Sequence, residues 1–488
     1  MPGEWRLSFP VQIEIRSLLT RRARQSCLRL VKPSCSGYTQ SAAHSVDVFS
    51  SRQNNIKELV EMSNILLVVT RDVNKVGMFG RAKILKSIFS VACDTESYTL
   101  FRVKSLLEQK CYVTLGAAFS RNFVLVEKER RWPLQCILFD DAKTCDALET
   151  LVKREKPTAI YFDTVRCFAL VQRIARKFPQ IQLICDFDDL MSRRMRMIAR
   201  LNETLSTGYL GEFVPVWMRH VIESKVISKA VLKHEANALT RVEAKIARLV
   251  RNIVLLSPVD ADTLRDQMGK LDRCEISFVF PPFAAKRPVA AQFGKVRFVF
   301  IGSDRQLQNR LSIRILLSIW SQNRIIHPLY IYGQQSMSKV KCANVYWPGF
   351  AQCLEDVYTQ NSILIAPAGI GGGVKTKILE ALEFGVIPLG NEMSFEGIAG
   401  GEHLAMSEEE LVYTLTHLQD RIPSLVQAAQ LLQDRLTEQN SVGAFRDRWM
   451  RLFSGNMEID ASESCCVARL VGAGSERGAA TRLQALKG

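Results

Sequence analysis

No stretch of this sequence stays apolar for the roughly 18–20 residues that a bilayer-spanning helix needs, which argues against an integral membrane protein. The first residues also lack the uninterrupted hydrophobic core of a cleaved secretory signal, because Glu4, Arg6, Glu14 and Arg16 break it. The thirteen cysteines form no CxxC pair. An odd, scattered set argues against a disulfide framework or a zinc site and for a reducing compartment. None of His44, His220, His234, His327, His403 and His417 has metal-ligand spacing with a second ligand, so no metal is expected. Zinc-finger spacings and the aromatic signature of RNA-binding sheets are missing too.

What the chain does have is positive charge, +16 in 488 residues. A basic balance fits nucleic acid, an anionic membrane surface, or a diphosphate substrate. Here the charge is spread along amphipathic helical stretches rather than gathered into one short cluster, which disfavours nucleic acid. Hydrophobic residues at 47% and charged residues at 23% are globular values. The length calls for two domains plus tails.

Residues 1–60 hold nine Lys or Arg against four acids with no sustained period, and read as a basic, disordered arm. From Asn64 the pattern changes. Ile65-Leu-Leu-Val-Val69 is a β-branched-rich run of the kind that forms a buried parallel strand. Further strands are expected at residues 123–126, 136–139, 159–162, 183–185 and 252–256, with helices between them. Such alternation predicts a doubly wound α/β sheet. Residues 212–250 read as a long, basic helical stretch with an apolar side. Two prolines in Phe280-Pro-Pro-Phe283 mark a linker. The pattern then restarts, with strands expected at 296–301, 329–332, 345–347, 363–366 and 386–389. Helices should follow to about residue 453, with a disordered tail over 456–488. Two α/β units joined by a linker imply a cleft between them.

The segment with the most chemistry is Ala366-Pro-Ala-Gly-Ile-Gly-Gly-Gly-Val-Lys-Thr-Lys-Ile-Leu-Glu-Ala-Leu382. It reads as strand, glycine-rich turn and helix N-terminus. Gly369, Gly371, Gly372 and Gly373 let backbone amides approach a ligand. The first turn of the helix starting near Val374, which takes in Thr376, points free N–H groups and a partial positive charge the same way. Lys375 and Lys377 add full charges suited to a diphosphate. Glu380 lies one turn further on, where it can accept hydrogen bonds from ribose hydroxyls. The segment lacks the GK[ST] order of the P-loop and the spacing of the dinucleotide fingerprint. Phe384-Gly-Val-Ile-Pro-Leu389 comes directly after it, and Phe395-Glu-Gly-Ile398 a few residues later.

Taken together, residues 366–398 resemble the donor-binding signature of the group 1 glycosyltransferases, the large GT-B family sometimes labelled family 4. The resemblance implies a GT-B architecture, with two Rossmann-like domains facing a central cleft. It also implies that Gly371, Gly372, Gly373 and Lys375 hold the donor's diphosphate or sugar and that Glu380 binds its ribose. There are two departures. Gly385 and Pro388 have two residues between them where many members have one. Many members also carry a second glutamate eight residues before the ribose one, and here that position is Gly372.

Other segments fit the same family. Gly302 closes the opening strand of the donor half, and Arg305 comes just after it, where members tend to place a phosphate-binding base. Gly77-Met-Phe-Gly80-Arg81 resembles the glycine loop lining the opposite wall, which assigns Gly80 and Arg81 to the donor. Tyr161-Phe-Asp163 and Cys185-Asp-Phe-Asp-Asp-Leu190 resemble strand ends of polysaccharide-assembling members. Asp163, in place of the histidine many members carry, and Asp188 are the catalytic candidates.

The expectation is therefore an N-terminal acceptor-side domain over 61–282 and a C-terminal donor domain over 283–455. The activity expected is transfer of a sugar from a nucleoside diphosphate sugar, a co-substrate, with no cofactor and no metal. Resemblance implies retention at the anomeric carbon. A lipid-linked or saccharide acceptor and a peripheral position on the cytoplasmic membrane face fit the basic helices. The competing readings are a non-catalytic interaction protein of the same fold and a basic nucleic-acid binder.

Overall fold

A computed structural model of the chain describes residues 64–72, 79–95, 97–124, 131–201, 203–204, 224–269, 273–290, 294–335 and 340–455. The arm expected over 1–60 and the tail over 456–488 lie outside these residues. So do Gly77 and Met78 and the first part of the long basic stretch.

Two all-parallel sheets organise the chain. The first contains β1 (Asn64–Val69), β2 (Ser97–Arg102), β3 (Ala159–Asp163), β4 (Gln182–Asp188), β5 (Asn252–Leu255) and β6 (Glu275–Phe278), in the order β2-β1-β3-β4-β5-β6. Its helices are α1 (Phe79–Ala92), α2 (Tyr112–Phe123), α3 (Leu134–Ile137), α4 (Ala142–Glu155), α5 (Phe168–Lys177), α6 (Met191–Arg200), α7 (Lys225–Ala247) and α8 (Pro258–Met268). The second contains β7 (Arg297–Ile301), β8 (Leu329–Tyr332), β9 (Val345–Gly349), β10 (Ser362–Ile365) and β11 (Ile387–Leu389), in the order β11-β10-β7-β8-β9. With it come α9 (Leu307–Gln322), α10 (Thr376–Glu383), α11 (Glu408–Thr416), α12 (Leu418–Gln439) and α13 (Val442–Ser454). Helices on both faces bury the central strands, so β1, β3, β5 and β10 are buried without alternation. None of the described helices is long and apolar enough to cross a membrane.

Two expected strands are corrected. Residue 123 ends α2 and residue 124 caps it. Residues 136–137 belong to α3, which starts after Pro133 and is capped from a distance, Leu134 N–H donating to the Glu235 carboxylate of α7. Both segments are apolar runs too short for periodicity to separate strand from helix.

Helix α13 follows the second sheet in sequence but packs on the first. Trp449 is fully buried and meets Tyr161 of β3 edge-on, ring centroids 5.6 Å apart, with Phe445 and Phe453 beside it. Gln182 Nε2 of β4 donates to Leu452 O at 2.7 Å. The last helix thus straps the two halves together. Trp449→Ala should cost about 3–5 kcal/mol of stability, read as a lowered midpoint in urea unfolding.

Strand order also locates the ligand site. In each sheet the chain reverses its direction of winding at one point, between β1 and β3 in the first and between β7 and β10 in the second. Crevices at the carboxyl ends of such strands are where α/β sheets bind ligands. Here the two crevices face each other.

Candidate functional site

From the first sheet, the wall of the cleft is built on one arginine. Arg81, in the first turn of α1, turns inward with its side chain only 8% exposed. Its Nη2 donates to Asp186 Oδ2 at 2.7 Å, Asp163 Oδ1 at 2.9 Å and Tyr161 Oη at 3.1 Å. Thr70 Oγ1 donates to the other oxygen of Asp163 at 3.1 Å, and Tyr161 Oη donates to Asp186 at 2.8 Å. Burial alone would lower the Arg81 pKa, but the fields of Asp186, Asp188, Tyr161 and Asp163 hold it well above its ordinary value.

Through Nη2, Arg81 is held by three buried partners at the ends of β3 and β4. Asp163 is fully buried with both oxygens engaged. Asp188, the other catalytic candidate, is 20% exposed and paired with Arg71 at 3.2 Å and Arg81 at 3.5 Å.

The glycine loop between β10 and α10 forms the facing wall, and its amides are not all free. Gly372 N–H donates to Glu396 Oε1 at 3.0 Å, and Gly373 N–H donates to Asp260 Oδ2 of α8 at 2.8 Å. Arg193 of α6 joins these carboxylates. It grips Glu396 bidentately at 2.6 and 2.8 Å and reaches Asp260 Oδ1 at 3.0 Å. The amides of Gly372 and Gly373 are thus engaged within the protein, and both glycines carry the chain through φ of +99° and +62°. At Gly371 an added Cβ would stand 2.9 Å from Glu396 Oε2.

Both lysines of the motif are tied down. Lys375 Nζ donates to Gly372 O at 2.8 Å and Gly373 O at 3.2 Å. Lys377 Nζ donates to Asn309 Oδ1 at 2.9 Å and sits 4.2 Å above the Phe300 ring. Gly302 acts in this support, since any Cβ there would stand 2.6 Å from Asn309. Burial pushes each ammonium down to about 8, so both stay mainly charged at neutral pH beside the α10 N-terminus. Arg305 lies exposed in the loop after β7.

The remaining members of the predicted set come together. Gly80 of α1 approaches Thr376 of α10 so closely that a Cβ on Gly80 would stand 2.5 Å from Thr376 Oγ1. The first turns of two helices, each with unsatisfied N–H groups, therefore meet across the cleft. Beside this contact is a cavity of about 20 Å³ bounded by Gly80, Lys83, Ile84, Pro281, Pro282, Thr376, Leu379, Glu380 and Glu383. Glu380 is 6% exposed, and among the described residues nothing donates a hydrogen bond to its carboxylate. Burial pushes it up to about 7, opposed by Lys83 and assisted by Glu383. Its neighbour Glu383 is matched by Lys83 from α1 at 2.5 Å.

Sequence reasoning passed over Arg193, Lys83 and Glu383. Glu396 fell within a recognised stretch, but nothing local marks it or Asp260 as a partner of the glycine loop.

No family model matches the chain, and no curated protein matches it. Solved structures do. Sucrose-phosphate synthase from Thermosynechococcus elongatus superposes with a TM-score of 0.55 at 11% identity, covering 80% of this chain and 98% of that one. HepE of Anabaena in complex with UDP-glucose gives 0.52 at 11% identity, covering 80% and 99%, and in complex with UDP it gives 0.51 at 10%, covering 80% and 100%. At such identities the likeness speaks for the fold alone, and that fold is GT-B.

Proposed function

We propose that the protein is a glycosyltransferase that moves a sugar from a nucleoside diphosphate sugar to an acceptor hydroxyl. The observation that carries this is Glu380, a buried carboxylate without a hydrogen-bond donor, facing a cleft cavity one turn from a helix N-terminus. Among the described residues none donates a hydrogen bond to this carboxylate, and a ribose diol supplies two donors. The GT-B fold adds weight, since HepE of the same fold was solved with UDP-glucose.

In this reading the diphosphate lies at the N-terminus of α10, against the Thr376 hydroxyl and the first-turn N–H groups. Lys375 and Lys377 supply positive charge as the bond from the sugar to the diphosphate breaks and that to the acceptor oxygen forms. These groups can do what a bound cation does elsewhere, which fits a metal-independent reaction. Retention at the anomeric carbon follows from the family resemblance. Entry of the donor requires the two halves to separate, because the cavity holds little more than a water and Arg193–Glu396 and Lys83–Glu383 span the cleft.

Glu380 must be ionised and the two lysines protonated for tightest binding. Nucleotide affinity should therefore peak between pH 7 and 8, the values burial gives these groups. Beyond either limit it should fall, approaching about tenfold per pH unit for each group that must change protonation. Calorimetric titration with UDP and GDP from pH 5.5 to 9.5 checks this, and a flat profile would remove these groups from the site.

A lipid-linked or saccharide acceptor at a membrane face fits the outer side of α7. Val226 is 83% and Ile227 39% exposed there, beside exposed Lys225, Lys229 and Lys233. Co-sedimentation with anionic vesicles should weaken several-fold in Val226→Asp, whereas equal recovery of both proteins would argue for a freely diffusing acceptor.

A further inference from the structure

Helix α6 is anchored in the first half of the molecule. Ser192 N–H, in its first turn, donates to Glu243 Oε1 of α7 at 3.0 Å, and Arg196 reaches Thr240 Oγ1 of the same helix at 3.5 Å. From that anchorage α6 extends across the cleft to the second half.

Three kinds of contact hold it there. The first is ionic. Arg193 Nη1 touches both Asp260 Oδ1 of its own half and Glu396 Oε1 of the other, and these two acids take the amides of Gly373 and Gly372. The second is apolar. Ile198 of α6 and Leu232 of α7 share one buried cluster with Leu307 and Leu311 of α9 and Ile370 of the glycine loop. The third is steric. Met197 Cε stands 3.2 Å from where a Cβ on Gly371 would be, so the helix lies directly on the loop. Just beyond α6, Glu203 adds an ion pair with Arg314 of α9 at 2.9 Å.

None of these contacts needs a ligand. Separating the halves would bring the apolar cluster into water, which is unfavourable. It would also part Glu396 from its arginine and the Gly373 amide from Asp260. The same contacts keep a ligand out. A nucleoside diphosphate is far larger than the cavity of about 20 Å³ left beside Glu380, and two amides of the loop are already spent on the chain's own carboxylates.

We propose that the ligand-free protein is autoinhibited, with α6 acting as a clasp that holds the cleft shut through Arg193 and Ile198. Nucleotide binds only the minor fraction of molecules in which the clasp is open. The consequence for activity rests on the nucleotide-sugar reading above, whereas the closed resting state rests on the contacts alone. A clasp of this kind scales apparent affinity by the open fraction, so loosening it strengthens binding. Loss of an ordinary binding residue does the reverse.

The test compares wild type, Arg193→Gln and Ile198→Ser as full chains. Small-angle X-ray scattering without ligand reads the separation of the halves, calorimetric titration with UDP and GDP reads affinity, and thermal melts control for folding. Arg193→Gln takes the cation from fully buried Asp260. Ile198→Ser removes no charge, and so loosens the seam even if the arginine variant fails to fold. Both variants should show a larger radius of gyration than wild type and bind nucleotide at least about tenfold more tightly. Equal radii in all three proteins would overturn the clasp. So would weaker nucleotide binding in expanded variants, which would make α6 part of the binding wall rather than a barrier to it. If none of the three binds UDP or GDP, the nucleotide reading fails and scattering alone decides: expansion in the variants upholds the closed resting state, and an unchanged radius removes it.

Discussion

Glu380→Gln should bind nucleotide about a hundredfold more weakly than wild type and yet melt at a higher temperature at pH 8. The first effect comes from replacing a charged acceptor of two hydroxyl hydrogen bonds by a neutral amide, a loss of roughly 2–3 kcal/mol. The second comes from the direction of its shift. Burial raises the carboxyl from its ordinary 4.5 to about 7, so the fold prefers the protonated form. That contribution is fully present below pH 4.5 and lost as pH rises through 7, leaving the ionised group a burden at pH 8. Removing it should return about 1–3 kcal/mol. Calorimetry and thermal melts on the same samples check both halves. A fall in both quantities would make Glu380 an ordinary structural residue.

Arg81→Met should act in the opposite sense, costing about 3–5 kcal/mol of stability. Asp163 and Asp186 are fully buried, and Arg81 is the cation both of them touch. Removing one partner of a buried ionic group leaves uncompensated charge behind, the costly case, whereas a matched neutral replacement is mild. Adding Asp186→Asn to Arg81→Met should therefore recover part of the loss. Urea unfolding of the three proteins checks this. Full stability with lost nucleotide binding in Arg81→Met would instead favour the donor-facing role expected from its place beside a glycine loop.

Arg81 shows where the sequence is legible and where it is not. The buried runs of β1, β3, β5, β7 and β10 announce themselves, because a central parallel strand is apolar on both faces. Strands β2 and β6 escape notice. One reads Ser-Tyr-Thr-Leu-Phe-Arg and the other Glu-Ile-Ser-Phe, mixed sequences suited to the sheet edges they occupy. The helix bearing Glu380 is legible because its signals lie within a few residues of one another. The partners of the glycine loop are not. Asp260 lies 113 residues from Gly373, and only a cleft between two sheets brings them together. Nor does the glycine loop beside Arg81 announce its buried partners, which the order β1-β3-β4 places beneath it as Asp163 and Asp186.

The central claim is a nucleotide-sugar pocket between the two sheets, and direct titration tests it. UDP, GDP and their sugar conjugates should include at least one that binds wild type one-to-one near pH 7.5, with affinity lost in Glu380→Gln. Absence of binding by all of them, together with salt-sensitive binding of DNA or RNA, would contradict it.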